Sequence, residues 1–196
     1  MRIILIAASL ILVAFLAGSR YSFFEFRGGD AQSPRIPRST SEVYAAGTKE
    51  QFDFLSQQTS SSCGLQPTSV DDYSDDQRIQ GACCSAMNFH RYQEQVEGLK
   101  RFADIPQIPE DPYDVPVSLA KELFDYQKVI QLTKVQQDVY ELAVEISHEG
   151  GPCCCKCWRW YAFEGLAKFL ISEYNWGAEQ ISEVWDLLDG CGGSGH

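Results

Sequence analysis

Four of the chain's eight cysteines, Cys153, Cys154, Cys155 and Cys157, fall within the stretch "GGPCCCKCWRW" from Gly150 to Trp160. Thiols this close can hold a soft metal ion or exchange disulfides, and both kinds of chemistry run through the thiolate. The stretch joins a Gly-Gly-Pro break to an apolar helical pattern and carries Lys156 and Arg159. Free backbone N–H groups and the helix dipole at such a junction are expected to lower thiol pKa values. If the turn is extended, Cys153, Cys155 and Cys157 share one side and Cys154 points away; if it is helical, Cys153 and Cys157 share a face. Thiolate ligands select Cu(I), Zn(II) or iron–sulfur clusters over Mg(II) or Ca(II).

One ion is not easily wrapped by four cysteines in so short a run, because tetrahedral sites draw ligand pairs from separate segments. A second segment is present. In "ACCSAMNFH", Cys83 and Cys84 precede Met87 and His90, and a helix starting here would bring all four to one side. Cys, Met and His together favour copper, so Cu(I) is the leading cofactor, with Zn or an Fe–S cluster as the others. Cys191, in "DGCGG", supplies a lid or a further ligand. The expected metal-binding set is therefore Cys153, Cys155 and Cys157, joined by Cys154, Cys83, Cys84, Cys191, Met87 and His90. No catalytic residue is assigned. His148, five residues before Cys153, is a weak partner for a cysteine nucleophile, and C-x-x-C-H, Gly-rich phosphate-loop and G-x-S-x-G patterns are absent.

Stepping out from the cysteines, the elements that must position them are helical. Phe89, Tyr92, Val96, Leu99 and Phe102 recur at three and four within residues 85–104, as on an amphipathic helix. Four prolines between Ile105 and Pro116 predict an extended connector. Ser118 is placed to cap a helix bearing Leu119, Leu123, Tyr126 and Ile130, and Thr133 with Gln136 forms a capping box for another that Gly150-Gly151 would stop. Further helices are expected from Trp158 to about Tyr174 and over 178–188, with a weaker one within 42–58 and a polar loop carrying Cys63 after it. No period-two strand stands out. The fold class is all-α, a compact bundle of four to six helices behind an N-terminal signal or anchor helix.

That leader is read from Met1-Arg2 followed by an uncharged run from Ile3 to Ser19. The run is a little short of the roughly 20 residues of a full span. Ala17-Gly18-Ser19 suits a cleaved signal, and the aromatic cluster "RYSFFEF" suits an uncleaved anchor. Residues 1–19 are thus a signal peptide or signal anchor, 20–41 a juxtamembrane linker, and 42–196 a cysteine-rich helical domain outside the cytoplasm, in the periplasm or on the outer membrane face. A formal charge of −11 excludes a nucleic-acid partner, since phosphate binding needs clustered cations. The partners expected are a metal ion, the membrane if the leader is uncleaved, and a redox or metal-transfer protein.

The segment "PCCCKC" resembles the P-C-Y-C-x-C motif of the CYCXC family of exported bacterial proteins and selenoproteins. Pro152, Cys153, Cys155 and Cys157 match, Lys156 takes the variable place, and Cys154 stands where the family has Tyr. The Gly-His pair that follows in the family is replaced by "WRWYAFEG". The likeness covers the C-terminal third and implies an exported protein with a thiol- or selenol-based site. Three functions stand on the residues: handling of a soft metal (Cu, Zn, Hg or an Fe–S cluster), a C-x-C thiol–disulfide oxidoreductase using Cys155 and Cys157, and a structural module stapled through Cys63, Cys83, Cys84 and Cys191. A metal-binding protein is favoured over an enzyme.

Overall fold

A computed structural model describes residues 44–192. The leader, the linker and the first residues of the expected domain lie outside the described residues. Among those described, no helix is long and apolar enough to cross a membrane.

The order of elements is α1 (Lys49–Leu55), α2 (Pro67–Val70), β1 (Arg78–Gln80), α3 (Phe89–Leu99), a 3-10 turn (Lys100–Phe102), β2 (Asp114–Pro116), α4 (Val117–Val129), α5 (Lys134–Ile146), α6 (Trp158–Glu173) and α7 (Ala178–Leu188). The fold is mostly helical, as expected, but it is not all-α, and the described residues form seven helices where four to six were expected. β1 and β2 pair antiparallel, with Ile79 opposite Val115. The proline-rich connector was expected to exclude regular structure. Its last three residues nonetheless pair, because Pro116 ends the strand, where its missing N–H costs no ladder bond.

Helix α6 is the axis of the core. Nine of its sixteen residues are buried, including Trp158, Phe163, Leu166 and Leu170, the all-round burial of a helix covered on every side. Gly165 allows α4 to approach, since a Cβ there would stand 1.9 Å from the carbonyl oxygen of Leu123. Helices α5 and α7 pack on the same core through Ala143, Ile181, Val184 and Trp185, whose indole N–H donates to the carbonyl of Phe163 at 3.0 Å. A smaller cluster of Leu55, Tyr92, Val96 and Tyr113 joins α1 to α3.

Local signals fix most boundaries. Thr133 and Gln136 form the expected capping box at the start of α5, and α7 spans the expected residues. Two starts differ. Helix α3 begins at Phe89 rather than near Ser85, because the Asn88 side chain accepts from the Arg91 N–H. Helix α4 begins at Val117, directly after Pro116, so Ser118 lies inside it and caps nothing.

A candidate thiolate metal centre

All eight cysteines are unpaired in the structure, and they gather into one continuous cluster. Four separate segments supply them. Cys63 lies in the loop before α2, Cys83 and Cys84 follow β1, Cys153 to Cys157 lead into α6, and Cys191 follows α7. Backbone hydrogen bonds hold these segments together. The N–H of Cys83 donates to Gly190 O at 3.0 Å, that of Ser85 to Cys191 O at 2.8 Å, and that of Trp158 to Leu65 O at 2.8 Å. The Asp189 carboxylate accepts from the Cys191 N–H at 3.0 Å.

The cluster has two halves. In the inner half, Cys83, Cys153 and Cys191 have their sulfurs within 4.8 Å of one another, with Cys83–Cys191 at 3.8 Å and Cys153–Cys191 at 3.9 Å. Cys157 Sγ lies 3.9 Å from Cys153 Sγ. Cys153, Cys157 and Cys191 are buried and Cys83 is half-buried. In the outer half, Cys63, Cys84 and Cys155 also lie within 4.8 Å of one another, with Cys63–Cys84 at 2.8 Å. Cys154 is 3.7 Å from Cys84 and 3.0 Å from Cys191, so it joins the halves. Cys63, Cys84 and Cys154 are exposed.

The inner spacing has a simple geometric meaning. Four thiolates around one ion, at a metal–sulfur bond of about 2.3 Å, stand about 3.8 Å apart along each edge of the tetrahedron. Three sulfur pairs of the inner half have that separation.

Proton placement reinforces the geometry. Hydrogen bonds from Cys157, then Cys191 and Cys83, pull the Cys153 thiol well below the ordinary range, and the Cys155 N–H adds to the effect. The donors move the other way: Cys83, Cys157 and Cys191 are each raised, first by their bond to Cys153. Burial raises Cys155 and pushes Cys154 up to about 11. The expectation that position at a helix start would make all these thiols acidic is corrected. Sulfur–sulfur contacts and desolvation outweigh the α6 dipole at every one of these thiols except Cys153. A soft cation bound there would displace the thiol protons.

One buried cation beside the cluster makes no side-chain hydrogen bond among the described residues. Arg159 is 1% exposed, and its Nε, Nη1 and Nη2 have no hydrogen-bond partner among the described residues. Its guanidinium lies on the Gly190 backbone, where a Cβ would stand 2.1 Å from Cζ, and 4.8 Å from the centroid of the Trp158 ring. Its charge acts on Cys83 in favour of thiolate. A bare buried cation is costly unless a negative group offsets it, and a metal–thiolate centre is such a group.

Seven of the nine expected ligands meet in space. Met87 and His90 do not join them. With α3 starting only at Phe89, the chain between Ser85 and Asn88 is irregular, so Met87 packs on the Leu55–Tyr92 cluster. His90 lies on the exposed side of α3 with its Nε2 3.2 Å from the Glu94 carboxylate. His148 is likewise exposed, with its Nδ1 3.8 Å from Asp186. Cys155, grouped in the sequence reading with Cys153 and Cys157, lies within 4.8 Å of Cys153 and Cys154 and also of Cys63 and Cys84. Cys191 is buried and hydrogen-bonded rather than a loose lid. Cys63 is the ligand candidate the motif missed. The usable signal was its count, since only with Cys63 do the cysteines make two sets of four. Against protein-family models, curated proteins and solved structures, the chain matches none.

Proposed function

We propose that the protein is an exported soft-metal-binding protein whose inner thiolates, Cys83, Cys153, Cys157 and Cys191, hold one closed-shell ion, with Zn(II) the best fit. The observation that carries this reading is the 3.8–3.9 Å spacing of sulfurs drawn from three separate segments. Three further points support it. Four sulfurs match the usual coordination number of zinc. A divalent ion leaves the four thiolates two negative charges, which Arg159 partly offsets, whereas a monovalent copper ion would leave three. An iron–sulfur cluster sets inorganic sulfide between its irons and spreads the cysteines wider than one shared ion does. The role is metal handling, by sequestration or delivery, in the compartment that the leader implies.

The full-length protein, purified anaerobically, is expected to carry bound metal by elemental analysis and to release protons on reloading. Substitution Cys157→Ser should remove the ion. A preparation that binds no metal, and instead titrates reversibly between thiol and disulfide with two electrons, would overturn the reading in favour of an oxidoreductase.

A further inference from the structure

The outer half has its own ligand set, distinct in exposure from the inner one. Cys63, Cys84 and Cys155 form a triangle within 4.8 Å, and Cys154 adds a fourth sulfur 3.7 Å from Cys84. The supporting backbone is fixed in place: Cys63 Sγ donates to the Cys83 carbonyl at 3.3 Å, and Gln66 Nε2 donates to the Lys156 carbonyl at 3.3 Å. Three of these four cysteines are exposed. An incoming thiol or chelator can therefore reach this half without opening the core, whereas in the inner half Cys153, Cys157 and Cys191 are buried and Cys83 is half-buried.

We infer that Cys63, Cys84, Cys154 and Cys155 form a second, exchangeable site for a soft divalent cation, adjoining the inner site through Cys154. This inference rests on the metal-binding reading above. The closed inner ion stays with the fold. The outer ion is the one delivered or taken up, by stepwise replacement of exposed thiolates with those of an acceptor; no electrons move, and each protein thiolate released takes up a proton from water. Cys154, in reach of both Cys84 and Cys191, is placed to contact both ions, and the 3.6 Å approach of Cys83 to Cys84 joins the two sites directly.

The probe is Cd(II) added to the reduced full-length protein under argon, with ions counted by native mass spectrometry. Two ions per chain are expected, lost to a competing chelator in two phases. Cys63→Ser and Cys155→Ser should each bind one ion and lose the fast phase, with unchanged far-ultraviolet circular dichroism. A wild-type protein that binds one ion, retention of two by both variants, or a Cys63–Cys84 disulfide under argon with one ion bound would overturn this inference while leaving the inner site standing. Binding of no ion at all would remove both readings together.

Discussion

The two halves of the cluster are built from the same residue type, drawn in part from the same five-residue run, yet their surroundings differ. Cys153 and Cys157 face inward and are almost without exposure, at 2% and 0%, while their neighbour Cys154 is exposed. The motif thus buries its first and last thiols and leaves the two between them nearer to solvent. Inside, an uncompensated thiolate is costly and an ion is held by the packing around it; outside, water and competing ligands have access. Ligand identity alone does not decide how firmly a metal is kept.

The largest effect should come from the inner half. Cys157→Ser removes a buried ligand and is expected to cost about 3 kcal/mol, a fall in Tm of about 10 °C for a domain of this size, measured calorimetrically with zinc present. Cys155→Ser should cost less than about 1 kcal/mol in the same experiment, and equal losses for the two would erase the distinction.

Next is the charge behind the inner half. Arg159→Met keeps the packing volume and deletes the bare guanidinium. Metal affinity should drop by about ten- to a hundredfold, while the reduced, metal-free protein should gain about 1–3 kcal/mol in urea melts. Opposite signs in the two states are the signature of a countercharge; a loss in both would mean Arg159 matters only as packing.

A third test concerns the hydrogen-bonded support of the Cys191 segment. Gln95 Nε2 donates to the Asp189 carbonyl at 2.6 Å, Tyr113 donates to Gln95 at 3.1 Å, and Asp111 accepts from Tyr92 at 2.6 Å. Burial pushes the Asp111 carboxyl up to about 6. Since its folded value lies above its unfolded one, its contribution is fully present below about pH 4 and is lost as pH rises through 6, up to about 3 kcal/mol in all. Asp111→Asn should flatten that part of the pH–stability profile, and an unchanged slope would show that another group causes it. Last and smallest, His90→Ala should leave the metal count unchanged and stability within about 0.5 kcal/mol. Loss of an ion would return His90 to the ligand set.

What could be read in advance follows the range of the forces involved. Helices α5 to α7 were legible because the capping box of α5 and the apolar spacing of all three are local, although α5 ends at Ile146, where Ser147 turns extended, and not at the expected Gly150-Gly151. The β1–β2 pair was not, because strands of three residues give no periodicity and find each other through tertiary placement of Ile79 and Val115. In the site, the gathering of Cys83, Cys84 and Cys191 with the motif was legible from ligand chemistry. The split between halves was not, since it depends on which thiol faces α6. Met87 and His90 misled for a plain reason: the Asn88 cap delayed the helix by one turn. Arg159 stood in the motif all along, but only burial without a partner reveals its role.

The Cys83–Cys191 contact spans 108 residues of chain. Closing so long a loop carries an entropic cost that a local helix does not meet. The inner cysteine set is complete only once that loop has closed. A chain still emerging, or one threaded unfolded through a membrane, presents the motif cysteines without Cys191 and so has an incomplete inner site. If the inner cysteines hold an ion as proposed, completion of the fold and completion of its ligand set coincide at the Asp189–Gly192 turn.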